Sequence, residues 1–280
     1  MKLDDLDRGN VEDRRGRGGF GRPGVKLGLG GTIVLLALSA IFGQDFVSMV
    51  STEGGGGGTP MAPEEVERRA AAEGDLERVA IASFNDAQRL WQDELGGRYR
   101  ASRLVLFWDG TRSGCGDASS AMGPFYCPAD ERVYIDLGFY RELARRFGAP
   151  GDLAQAYVIA HEVGHHLQHV LGIAGEVREA QARDPRAQNA LSVRMELQAD
   201  CLAGVWARSA RERSLLDPGD LEEALGAAAA VGDDRIQRKM GGAVNPDSFT
   251  HGSAADRSRW FRRGFERGAM DACDTFAGGN

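Results

Sequence analysis

Four of the chain's five histidines fall between His161 and His169, inside the run AYVIAHEVGHHLQHVLGI. The run has no proline, carries apolar residues at Val158, Ile159, Val163, Leu167, Val170 and Leu171, and meets Gly172 as a stop. It therefore predicts a helix. On that helix His161 and His165 stand one turn apart on one face, and their rings can converge on a point off the surface. Neutral imidazole nitrogens at this spacing, His-Glu-x-x-His, are zinc ligands, and Glu162 between them reaches a water on the ion rather than the ion. A catalytic zinc keeps three protein ligands and one open position. The rest of the chain must then deliver a third ligand to this helix.

The run itself does not supply it. A third histidine six residues beyond the second would fall at Leu171, which excludes that class. His166 points to a different face. His169 lies about 12 Å along the axis from His161, too far for one ion. Both are expected around the site or at the surface. The next acidic candidates lie in RMELQADCLAGVW, Arg194 to Trp206, a second apolar helical run. Glu196 and Asp200 are four apart and share a face. An acidic pair in so apolar a helix is costly to bury unless paired or metal-bound. Glu196 is the expected third ligand, with Asp200 accepting a hydrogen bond from a ligating histidine and fixing its tautomer. Glu176 and Glu179, in a polar connector, are weaker rivals.

These two segments, HEVGHH and ELQADCLAGVW, occur with SSAMGPFYCPADERVYIDLGFY before them, FTHGSAADRSRWFRRGF after them and NVEDRRG near the start. Together they resemble the bacterial putative neutral zinc metallopeptidases, from Asn10 to Phe276. The resemblance implies a membrane-anchored, zincin-like metalloendopeptidase with one zinc per chain and a glutamate as third ligand. It supplies a chemistry and no target.

The flanking sequence predicts where the chain lives. Residues 27–44, LGLGGTIVLLALSAIFGQ, are eighteen uncharged residues, near the minimum for a bilayer span. Arg14, Arg15, Arg17, Arg22 and Lys26 precede them with no acid between, and Asp45 follows. The positive-inside rule then places residues 1–26 in the cytoplasm, as a basic segment, and exports the bulk of the chain. A cleaved signal peptide is the rival; its small-residue site at Ala37 and Ser39 falls inside the apolar run. The glycine-rich stretch 45–62 reads as a flexible tether, and 63–280 as one metallopeptidase domain. Cys115, Cys127, Cys201 and Cys273 make an even count suited to an exported domain. Cys115 and Cys127 flank a Gly/Ser-rich loop, which pairs them and leaves Cys201 with Cys273. No two cysteines lie two to four apart, which argues against a four-cysteine zinc site.

Within that domain the expected helices are Gly74 to Leu95, Gly138 to Phe147, Leu153 to Leu171, Ala187 to Arg213, Gly219 to Val231 and Ser253 to Ala272. Arg103 to Trp108 and the alternating run around Val133, Ile135 and Leu137 read as strands. The fold class is α+β, mostly helical, with a small sheet. The strand Val133 to Leu137 is the candidate edge for pairing an extended peptide. His251, in the loop AVNPDSFTHGS, is the candidate donor to the oxyanion of peptide hydrolysis; Tyr126, Tyr134, Tyr140 and Tyr157 are others. Glu162 is the general base. The alternative is a zinc-stabilised binding module without catalysis. The net charge of −7 argues against a nucleic-acid or anionic-lipid binder. The expected partners are a peptide or protein substrate and, through 27–44, a membrane.

Overall fold

The computed structural model describes residues 1–16, 61–239 and 241–277. The expected membrane segment at 27–44 and most of the tether lie outside the described residues. Among the described residues no helix is long and apolar enough to cross a membrane.

In chain order the elements are β1 (Val11–Asp13), α1 (Pro63–Ala72), α2 (Gly74–Leu95), β2 (Arg103–Leu106), β3 (Gly110–Ser113), β4 (Gly116–Ser119), β5 (Phe125–Cys127) and β6 (Arg132–Ile135). The helices α3 (Gly138–Phe147), α4 (Asp152–Val170), α5 (Ile173–Arg183), α6 (Gln188–Glu212), α7 (Asp220–Ala230), α8 (Asp233–Lys239) and α9 (Ala254–Arg267) follow. The fold is α+β and mostly helical. One sheet has the order β1-β2-β6-β5, with β1, β2 and β6 parallel and β5 antiparallel to β6; β3 and β4 form a separate hairpin.

Helix α4 is the centre of the molecule. It packs on α2, α6 and α7, and also meets β5 and β6. Leu153, Ile159, Val163 and Leu167 on it are wholly buried, each contributing roughly 1.5–3 kcal/mol by leaving water. Contacts on several sides explain why its apolar residues do not keep to one stripe. Helix α6 lies between α4 and α9. Two glycines set the second contact: a Cβ at Gly204 would stand 2.0 Å from the carbonyl oxygen of Phe261, and one at Gly264 would stand 1.9 Å from that of Cys201. The disulfide Cys201–Cys273 joins α6 to the C-terminal turn, and Cys115–Cys127 joins the β3–β4 hairpin to β5.

Several expectations are corrected. The strand around Val133 stops at Ile135, and Leu137 begins the turn into α3. It is an interior strand, bonded to β2 on one side and β5 on the other, so it has no free edge for a peptide. Helix α9 ends at Arg267 because Gly268 takes a left-handed φ of 68°; the chain through Cys273 is a short 3-10 turn. The polar connector holding Glu176 and Glu179 is helix α5. Residues 1–16, the described part of the expected basic segment 1–26, are packed on the domain and supply β1 to its sheet.

Candidate metal centre

Helix α4 presents His161 and His165 to one face of α6, where Glu196 meets them. The close approach runs past Gly164: a Cβ there would lie 3.1 Å from the Cα of Ala199. His161 Nε2 lies 3.1 Å from His165 Nε2 and 3.2 Å from Glu196 Oε2, and His165 Nε2 lies 3.4 Å from Glu196 Oε1. Ligand atoms about 2.0–2.1 Å from a tetrahedral zinc stand about 3.3 Å from one another. Among the described residues this is the group of histidine, cysteine and acid side chains whose donor atoms converge in this way.

The tautomers fit as well. His161 Nδ1 lies 2.9 Å from Asp200 Oδ1, and His165 Nδ1 lies 2.8 Å from Gln168 Oε1. Both partners are acceptors, so each ring carries its hydrogen on Nδ1 and leaves the Nε2 lone pair for the shared point. Gln168 cannot turn over, because its amide nitrogen donates to Met195 O at 2.7 Å and to Gln198 Oε1 at 3.1 Å. The residues present therefore fit a zinc ion with one position left open.

Behind these three side chains lies a buried charged layer. Asp200 is fully buried. It accepts hydrogen bonds from Tyr157 Oη at 2.5 Å, from Arg257 Nε at 2.8 Å and from Arg257 Nη2 at 3.0 Å. Burial raises its carboxyl, but the Arg257 guanidinium and His161 outweigh this and hold it below the usual range. Glu196 is likewise held well below that range by His165 and His161 against the effect of burial. His161 is pulled down by burial and up by Asp200 and Glu196; the carboxylates win and raise it to about 10. With no ion bound, this imidazole keeps a second proton at neutral pH.

Glu162 is buried and lines a cleft of about 490 Å³, and its carboxylate makes no hydrogen bond to a described residue. The cleft is apolar on one side, at Met122, Pro124, Phe125 and Phe139, and His251 lines it too. His251 Nδ1 lies 3.2 Å from Asp233 Oδ1. The other oxygen of Asp233 accepts the backbone N–H groups of Thr250, His251 and Gly252 at 2.8, 2.7 and 3.0 Å. One carboxylate thus fixes the loop and, with Thr250 Oγ1 at 3.0 Å from Nδ1, orients the ring. Burial lowers the pKa of His251, while Asp233 and Glu196 raise it further, for a net increase.

Three of the four candidate tyrosines are committed elsewhere. Tyr157 donates to Asp200. His166 is fully buried, and its Nε2–H donates to Arg100 O at 2.6 Å, so its Nδ1 accepts from Tyr126 Oη at 3.0 Å. Tyr134 donates to Asp130 Oδ2 at 2.6 Å. The buried hydroxyl of Tyr140 has no partner among the described residues, and Tyr140 is absent from the cleft lining. His169 pairs with Glu131 at 3.3 Å, and Glu179 with Arg183 at 3.8 Å. Neither these nor Glu176 joins the cluster.

Gln168, Asp233 and Arg257 had no place in the sequence reading. Gln168 sits three residues past His165, and its helical spacing was a usable signal. Asp233 and Arg257 reach the site only through tertiary contacts.

A family model described as "Putative neutral zinc metallopeptidase" matches residues 3–276. YpfJ of Escherichia coli K12 is 46% identical over 279 residues, covering 95% of each chain. Rv2575 of Mycobacterium tuberculosis H37Rv is 44% identical over 210 residues, covering 70% of this chain and 69% of its own length. No solved structure matches.

Proposed function

The chain belongs to the putative neutral zinc metallopeptidase family, and from that premise we propose that it is a zinc-dependent endopeptidase with a zincin-like active domain. The observation that carries the reading is the convergence of three donor atoms 3.1–3.4 Å apart, both Nδ1 positions being taken by acceptors. His161, His165 and Glu196 hold the ion, and Asp200 and Gln168 orient the two rings. When bound there, a zinc ion would supply Lewis acidity and lower the pKa of water toward neutrality. Glu162 takes the proton of the attacking water and returns it to the leaving amine. His251, as imidazolium, donates from Nε2 to the oxygen that gains negative charge, while Nδ1–H stays on Asp233.

A peptide reaches these groups along β5. Among the described residues this strand pairs with β6 alone, and Phe125 and Tyr126 on it line the cleft. An extended substrate adds there as a further strand. The two disulfides support an oxidising compartment outside the cytoplasm for the domain.

The test compares zinc content and hydrolysis of an unfolded protein substrate in three full-length chains. Wild type should hold about one zinc and cleave. Glu162→Gln should keep the zinc and lose activity about 100- to 10,000-fold. Glu196→Ala should lose most of the zinc. Full activity in Glu162→Gln would remove Glu162 from its role. Zinc bound firmly by wild type with no cleavage of any peptide would favour the non-catalytic module.

A further inference from the structure

The N-terminal residues bear on how this chain can meet a membrane. β1 lies parallel to β2, with Val11, Glu12 and Asp13 opposite Leu104, Val105 and Leu106. Leu104 N–H donates to Asn10 O at 2.9 Å, and Arg14 N–H donates to Leu106 O at 2.8 Å. Leu104, Val105 and Leu106 are wholly buried, so without β1 the main-chain groups of β2 on that side would lose their partners, at a cost water could not fully offset. The attachment extends over the whole segment. Lys2 N–H donates to Leu215 O at 2.8 Å. Asn85 Nδ2 donates to Asp5 O at 3.2 Å and to Asp7 O at 2.9 Å.

The basic residues there are engaged too. Arg15 is nearly buried, and its guanidinium meets Asp13 and Glu77, both at 2.7 Å, and Glu73 at 3.7 Å. Arg14 bonds Glu12 at 2.7 Å and Arg112 O at 2.7 Å. Two of the five charges that suggested a cytoplasmic N-terminus are therefore consumed inside the domain.

The last described residue of the segment lies against α1. A Cβ on Gly16 would lie 2.6 Å from Val66 Cγ2 on α1. A strand bonded into a sheet is on the same side of any membrane as that sheet. The number of crossings between Gly16 and Met61 must then be even. One apolar run of eighteen residues offers material for a single helical crossing and no more.

We propose that residues 1–16 are a fixed part of the folded domain and lie on the same side of the membrane as residues 61–277, so the chain is not a single-pass anchor with its N-terminus across the bilayer. This does not depend on zinc or on catalysis.

Asp4 and Glu222 are exposed, on the N-terminal segment and on α7. The full-length chains Asp4→Cys and Glu222→Cys, made separately in bacterial cells, are treated with a membrane-impermeant maleimide before and after permeabilisation. The parent chain, its cysteines paired, gives the blank, and labelling after denaturation gives the total. The two positions should show the same pattern, both reactive in intact cells or both only after permeabilisation. One reactive in intact cells and the other only after permeabilisation would overturn the proposal.

Discussion

His251 carries a demand that its neighbours meet. Nδ1 lies 3.2 Å from Asp233 Oδ1 and 3.0 Å from Thr250 Oγ1; with Nδ1–H given to the carboxylate, the neutral ring has a lone pair on Nε2 and could not stabilise an oxyanion. In the proposed mechanism the working form is therefore the imidazolium. Its pKa is lowered by burial and raised by Asp233 and Glu196, with Arg257 opposing. The charged form is thus present below the raised pKa and lost as pH rises through it, so the proposed activity should have an alkaline limb. Asp233→Asn keeps an amide oxygen for the loop N–H groups but removes the charge. It should move that limb of kcat/KM to lower pH by about one unit, measured on zinc-loaded enzyme. A loss of activity equal at every pH, with the limb unmoved, would make Asp233 a loop brace only. The residues legible in sequence were those fixed by local spacing: His161, Glu162 and His165 on one helix, then Glu196 and Asp200 as acids too costly to bury idle. Asp233 was not, because eighteen residues and a loop separate it from His251. Nor was Arg257, whose burial makes sense only once Asp200 stands against it.

Helices were readable where one pattern ran long; of the sheet, β2 and β6 were readable, while β1 and β5, three residues each, were not. So short a strand shows too few alternations to define a period. β1 gave no signal, and the edge assigned to β6 belongs to β5, since pairing order is a tertiary property. The contact of α6 with α9 is where an element decides the site. α6 carries Glu196 and Asp200; α9 carries Arg257. At Gly264 an added methyl meets the backbone oxygen of Cys201 at 1.9 Å, and no rotamer relieves a clash with backbone. Helix propensity favours alanine over glycine by about 1 kcal/mol, while forcing two packed elements apart costs about 1–3 kcal/mol and more when backbone is struck. Gly264→Ala should therefore destabilise the protein by about 2 kcal/mol in urea unfolding, and should weaken zinc binding as Arg257 is displaced from Asp200. A neutral or stabilising substitution would mean that the helices do not touch here.

For the whole molecule, the candidate metal site joins α4 to α6, the two helices around which the rest is packed, so ion binding there would be linked to global stability. The sign follows from His161. Without zinc its pKa is about 10, since Asp200 and Glu196 outweigh burial, against about 6.5 in an unfolded chain. The proton therefore contributes stability to the zinc-free protein fully below about pH 6.5, and that contribution fades as pH rises through the folded value. Zinc must displace this proton to reach Nε2. Its binding should strengthen with pH across the same window, by up to about 1.4 kcal/mol per unit for each proton displaced. The gap in Tm between zinc-loaded and chelated protein should thus widen steadily from pH 6 to pH 9 in calorimetry. His161→Ala should abolish both the gap and its slope. A gap that is large but independent of pH would show that the imidazole is already neutral in the zinc-free fold, and that the carboxylates around it bind metal without first holding a proton in its place.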